Sequence, residues 1–160
     1  MDYTIRKSKI EDKEAINKAH VLSIREVCSK DYTSEQIAGW SALVYSDDIW
    51  KKNVAHDHHL VIVVDNSIQG FCHSKLHPEN LGEIMGLYLT PMMIGIGAGR
   101  KIFGESLEFL IQGGAKKIHI DATRTAKGFY QKMGFSISGV EQLHETRGIA
   151  FEYIPMDMLV

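Results

Sequence analysis

YLTPMMIGIGAGRKI, residues 88–102, packs Gly95, Gly97 and Gly99 into five positions between a proline and a helical pattern. After it, Ile102, Phe103, Leu107, Leu110 and Ile111 fall on one helical face, and Gly113-Gly114 ends the run. Before it, EIMGLYLT reads as a strand, with Glu83 opening it; after it, KKIHIDA reads as another. A strand, a helix and a second strand in that order imply that strands 83–89 and 115–122 run parallel, because such a crossover returns the chain to the same end of the sheet.

Outward from this unit the pairing changes sense. HLVIVVD is ended by Asp65-Asn66 and IQGFCHS follows at once, the mark of an antiparallel hairpin. HPENLG makes a further turn into the strand of Glu83. Tyr3-Thr4-Ile5-Arg6 alternates as a first strand, and Asp12 is placed to cap a helix carrying Ala15, Ile16, Ala19, Leu22 and Ile24. Thr33 with Gln36 forms a capping-box pattern for a second helix. Asp47, Asp48 and the polar segment Ala55–His58 read as loop. Thr125–Met133 reads as a short helix stopped by Gly134, followed by strands at Phe135–Val140 and Ile149–Met156. The fold class is therefore α/β, a mixed, mostly antiparallel sheet with a central parallel strand pair and helices on both faces. At 160 residues, with 44% hydrophobic and 24% charged residues, one globular domain over 1–160 is expected.

Charge and composition exclude several function classes. A formal charge of −2 leaves no electrostatic footprint for nucleic acid. The longest apolar run, Leu60–Val64, is far too short to span a membrane, and the first residues after Met1 do not form a basic-then-apolar secretion signal. Cys28 and Cys72 lie outside any metal-type spacing and read as reduced thiols, so a cytoplasmic setting is expected. AHDHH, Ala55–His59, lacks the spacing of a catalytic zinc site and reads as loop composition, with no metal.

The glycines match neither common nucleotide loop. From Gly95 or Gly97 the G-x-G-x-x-G spacing meets Arg100 or Ile102, and the P-loop spacing from Gly95 meets Arg100 where glycine is required. What remains is a glycine turn at a helix start, where free N–H groups and the helix dipole favour an anion and absent Cβ atoms let a pyrophosphate approach. Arg100 and Lys101 add positive charge at its edge.

In this setting the run resembles the acetyl-CoA motif of the GCN5-related N-acetyltransferase (GNAT) superfamily, Q/R-x-x-G-x-G/A. It occupies Ile94 to Gly99, with Gly97 and Gly99 in place and Ile94 where the family has Gln or Arg. AKGFYQKMGF, residues 126–135, resembles the family's second signature, A-x-x-F-Y-x-K-x-G-F, with Thr125 where Asn often stands. The resemblance covers nearly the whole chain and implies the acyl-CoA N-acyltransferase fold, acetyl-CoA as donor and no metal. It implies cofactor contacts at Leu87, Tyr88, Leu89, Ile94, Gly95, Ile96, Gly97, Ala98, Gly99, Arg100 and Thr125, those of Leu87 and Leu89 through the backbone.

Transfer from a thioester to an amine needs a neutral amine, a stabilised oxyanion and a proton for the leaving thiolate. The resemblance makes Tyr130 the general acid. Glu83 stands where the histone-acetylating branch carries its base, eleven positions before Ile94; His73 is an alternative. Ser23 and Tyr32, with Arg25 and Trp40 beside them, are candidates for contact with the acceptor, a primary amine on a small molecule or peptide. Gly86, in mid-strand, fits a bulge or a close approach. An exposed last strand offers an edge for a homodimer. With Ile94 and Thr125 in place of the family's usual residues, a non-catalytic acyl-CoA-binding or sensing module is the alternative reading.

Overall fold

Strand β1 (Thr4–Lys7) leads into α1 (Lys13–Glu26), α2 (Ser34–Ser41) and α3 (Asp47–His56). The sheet is then built by β2 (His58–Val64), β3 (Ser67–His77) and β4 (Leu81–Leu89). The crossover helix α4 (Ala98–Gln112) leads to β5 (Lys117–Thr123), and α5 (Lys127–Lys132), β6 (Ser136–Ile137), β7 (Gln142–Thr146) and β8 (Ile149–Leu159) complete the chain. This is a computed structural model, and it describes residues 1–42, 45–146 and 149–160. The strands form one sheet in the order β1-β2-β3-β4-β5-β8-β6, with β7 on β8. Among the described residues β4 and β5 are the one parallel pair, as the crossover requires.

The two sheet faces bury different partners. Ile62, Cys72, Ile84, Ile118, Ile120 and Met156 pack with Ile102, Phe103 and Leu110 of α4. On the opposite face Val61 and Phe71 pack with Ile16 of α1 and Trp50 of α3. Asp65 and Asn66 take left-handed backbones (φ 46° and 63°), giving the tight turn expected between β2 and β3. The Thr33–Gln36 capping box is complete in both directions, at 3.2 and 3.0 Å.

Several local expectations need correction. The segment from Asp47 is a helix rather than a loop. Ser46 caps it through the Ile49 amide at 3.3 Å, two aspartates favour its positive end, and Trp50 pins it by donating from Nε1 to the Ile10 carbonyl at 2.8 Å. His58 and His59 lie in β2 and are buried, His58 stacked on Phe109 and His59 on Phe71. Asp12 makes no side-chain cap on α1, because its carboxylate holds Arg6 at 2.7 and 3.0 Å and the Lys9 amide at 2.7 Å. Glu83 is the third residue of β4, not its first.

The strand expected over 135–140 shrinks to Ser136–Ile137. The next position meets Pro155, which accepts from the Ser138 amide but has no N–H to return. The last strand, β8, is not an outer strand: β5 flanks it over Tyr153–Leu159 and β6 and β7 pair its other side, so among the described residues the register leaves only Ile149–Glu152 without a β5 partner. Among the described residues no helix is long and apolar enough to cross a membrane.

Candidate active site

Strands β4 and β5 pair only from Leu81–Glu83 to Lys117–His119, then part. On its other side β4 stays paired with β3, where the register slips at His73/Ser74 and leaves Met85 as the extra residue of a bulge. The slip falls one residue before Gly86, at whose position a Cβ would stand 3.0 Å from the Tyr88 ring. The Thr90 amide bonds the Gln69 carbonyl at 2.9 Å. Since antiparallel partners alternate every two residues, Tyr88 and Gly86 also aim their backbone groups at β3. Leu87 and Leu89 therefore direct their N–H and C=O groups into the gap beside β5. A cavity of about 770 Å³ opens there, large enough for a cofactor-sized ligand.

The glycine turn closes one end of it. Gly95 and Gly97 take φ of 81° and 86°, a backbone that L side chains rarely adopt, and a Cβ on either would project into open space. Gly97 is the N-cap of α4, whose first closed bond runs from the Lys101 amide to the Gly97 carbonyl, so the preceding amides point outward without helical acceptors. Ile94, Gly95, Gly97, Gly99 and Arg100 line the cavity. Gly99 has a packing role as well, since a Cβ there would lie 3.0 Å from Leu89 Cδ1. Ile96 is solvent-exposed and Ala98 is buried in the core; neither lines the cavity. Lys101 also turns away, its ammonium 5.4 Å from the centre of the Tyr3 ring.

Tyr130 is 3% exposed and lines the cavity, its ring held by Phe103, Phe129 and Phe135. Burial drives its phenol well above the ordinary range, so it keeps its proton at neutral pH. Tyr88 also lines the gap and is likewise pushed up by burial. Thr125 donates to Asp31 at 2.7 Å, tying the turn before α5 to the segment after α1. Beside them the Cys28 thiol is pushed up to about 11 by burial, so it stays protonated. Ser23 lines the same wall.

Other expected site residues are not brought to the cavity wall. Tyr32 is buried, and its hydroxyl donates to the Glu152 carbonyl at 3.0 Å while accepting from the Arg124 amide at 2.9 Å. It ties α1–α2 to the sheet instead of facing the cavity. Trp40 packs on Tyr32, Tyr88 and Phe151, and Arg25 bonds Ser41 at 3.3 Å. His73 is buried against Asp57 at 2.8 Å, away from the gap. Glu83 shares a 2.5 Å hydrogen bond with His77 and is not among the lining residues. Asp121 is, and it passed unnoticed in the sequence. In KKIHIDA the alternation that buries Ile118, Ile120 and Ala122 sends Asp121 to the other face, two residues beyond the last position paired with β4.

A family model for the acetyltransferase (GNAT) domain matches residues 28–160. No curated protein matches the chain. Among solved structures, a GCN5-related N-acetyltransferase from Rhodopseudomonas palustris superposes with a TM-score of 0.86 at 19% identity, covering 100% of this chain and 97% of that one. The PaiA N-acetyltransferase of Thermoplasma acidophilum, solved with coenzyme A, gives 0.81 at 22% identity with all of both chains covered. A putative acetyltransferase, YncA, from Salmonella typhimurium, solved with acetyl-CoA, gives 0.72 at 14% identity, covering 99% and 94%. The parted β4–β5 pair, the glycine turn opening α4 and the match over most of the chain agree, and the chain belongs to the GNAT acetyltransferase family.

Proposed function

We propose that the chain moves the acetyl group of acetyl-CoA to a primary amine of a small molecule or peptide, by direct attack while both are bound. The observation that carries this reading is the parted strand pair. Leu87 and Leu89 present unpaired backbone groups to a cavity that ends at the outward amides of the Gly95–Gly97 turn. These groups fit an extended chain of amides that terminates in a pyrophosphate. Acetyl-CoA bound there would supply the activated acyl group; the protein supplies alignment and protons.

Tyr130, buried and protonated, gives its proton to the departing sulfur. The amine must lose a proton before it attacks, because an alkylammonium of pKa ~10 carries no free lone pair at neutral pH. With its carboxylate engaged by His77, Glu83 would take part only through intervening water.

Thiol release with acetyl-CoA, corrected for hydrolysis, across a panel of primary amines tests the reading. The wild-type chain should release CoA with at least one amine. Tyr130→Phe should lower kcat by about 10²-fold or more while the Kd for acetyl-CoA stays within about threefold. Acetyl-CoA binding without release to any amine would identify a binding or sensing module instead, and unchanged kcat would remove Tyr130 from the chemistry.

A further inference from the structure

Resting on the acetyl-transfer reading above, we infer that Asp121, backed by His119 and Asp157, is the group that takes the proton from the attacking amine. The position of Asp121 is the first reason. It stands on β5 just past the point where β4 and β5 separate, lines the cavity, and keeps half its side chain exposed. It lies on the sheet face opposite the core residues Ile118, Ile120 and Ala122, the face on which α1 packs over β3 and β4. Ser23, Val27 and Asp31 line the cavity with it. Ile120, Asp121 and Thr123 are the β5 residues that line the cavity, and of these Asp121 alone carries an ionisable side chain.

The second reason is what stands behind it. His119 Nε2 lies 3.1 Å from Asp121 Oδ1, and His119 Nδ1 lies 2.6 Å from Asp157 Oδ1. Lys117 holds the other Asp157 oxygen at 2.9 Å. Burial pulls the Asp157 carboxyl upward, but hydrogen bonds from His119 and Lys117 outweigh it and keep the group below its ordinary range. Asp157 therefore remains a carboxylate and fixes the imidazole with Nδ1 as donor. The contact between Nε2 and Asp121 then has one place for one proton. Emptied, it is a site for the amine's proton; filled, it is neutral or cationic at Asp121's back and ready to discharge to solvent through the exposed side of Asp121.

Starting from an ammonium, two protons leave nitrogen. One goes to the Asp121–His119 contact and on to solvent. The amine nitrogen bonds the acetyl carbon, the carbon–sulfur bond breaks, and Tyr130 protonates the sulfur. The second nitrogen proton restores Tyr130 through water, so one proton is released in all. Asp121 touches the reacting amine in this scheme; His119 and Asp157 are positioning residues.

Other charges stand near this group. Glu83 on β4 is the register partner of His119 and is itself bonded to His77. Lys75 on β3 pairs in register with Glu83. Across the cavity stand Lys30 and Asp31, and Lys132 of α5.

The test is the pH profile of kcat, between about pH 6 and 10, for the full chain with acetyl-CoA and its best primary amine. Asp121→Asn should lower kcat by about 10²-fold near neutrality with KM for acetyl-CoA held within about threefold. Its deficit should shrink as the pH nears the amine's own pKa, where solution supplies the neutral nucleophile. His119→Gln should lose about tenfold and move the acidic limb of the profile, whereas a merely structural role would scale the whole profile down. An active wild type whose Asp121→Asn variant keeps kcat within twofold, or loses the same factor at every pH, overturns the assignment alone. A wild-type chain that releases no CoA with any amine overturns the acetyl-transfer reading and this assignment with it.

Discussion

Two hollows border α1. The gap between β4 and β5 encloses about 770 Å³; a second space, between α1, α3 and strands β2 and β3, encloses about 20 Å³, the room of a single water. The small one is lined by histidines and the large one by carboxylates, and the two sets sit in opposite surroundings. In the small hollow His20, His59 and His73 are each less than a tenth exposed, and among the described residues His20 Nε2 and His59 Nδ1 have no hydrogen-bond partner. Their rings pack as aromatics, His20 on Tyr88 and Phe71, His59 on Phe71 and Trp50. Around the large gap the carboxylates of Asp31 and Asp121 keep contact with solvent and with one polar side chain each, Thr125 and His119. Burial without a partner turns a titratable side chain into packing material; partial exposure with a partner leaves it able to exchange protons.

The largest expected effect follows from the closed hollow. Burial holds the His20 ring down at about 4 and drives His59 down to about 3, while His73 is lowered against the pull of Asp57. In the unfolded chain these rings titrate near 6.5. As the pH falls below about 6.5 the unfolded chain gains protons that the fold refuses, so stability drops, and the loss from His20 is complete only near pH 4. For His20 alone the shift corresponds to about 3 kcal/mol. Urea denaturation at pH 7 and pH 4.5 should show that loss in the wild type and a smaller one in His20→Leu. An identical pH slope in the two proteins would mean that His20 is not held neutral, and the contrast between the hollows would fail.

How much of this was legible in the residues divides along the same line. The glycine turn and Tyr130 stood out because each belongs to a local run whose spacing carries the meaning, and the crossover around them fixed the parallel pair. For Glu83, His73 and Tyr32 the residues alone do not show which neighbour claims the side chain, and the structure brings none of the three to the cavity wall. His77, Asp57 and the Glu152 carbonyl are all remote from any motif. Helix α3 was hidden by its polar surface, with Trp50 its one buried anchor. Asp121 was legible in principle, since strand alternation alone puts it on the face away from the core, but nothing local shows that β4 has already turned aside.

A medium effect is expected on the open side. Gly97→Val places a Cβ where nothing obstructs it but forces a branched residue into φ of 86°, a strain of about 1–2 kcal/mol. The turn should relax and withdraw the outward amides of α4. Calorimetry should find the Kd for acetyl-CoA raised about tenfold or more, with only a few degrees lost in Tm. An unchanged Kd would show that the turn is conformational only and that the large cavity takes its ligand elsewhere.

The smallest effect concerns how the open gap keeps its shape. Its outer wall, the segment after α1, is joined to the β5–α5 turn by two ties: the Tyr32 hydroxyl to the Arg124 amide, and Thr125 to Asp31. The first is partly buried and the second exposed, so the first carries most of the stability and the second acts on width alone. Thr125→Val should cost about 1 kcal/mol or less in denaturation, raise KM for acetyl-CoA about two- to fivefold and leave kcat in place. Tyr32→Phe should do the reverse, lowering Tm by several degrees while KM measured well below the transition stays near wild type. If Tyr32→Phe instead raised KM and spared Tm, Tyr32 would belong to the site after all, and the buried-versus-exposed division would need to be redrawn at that residue.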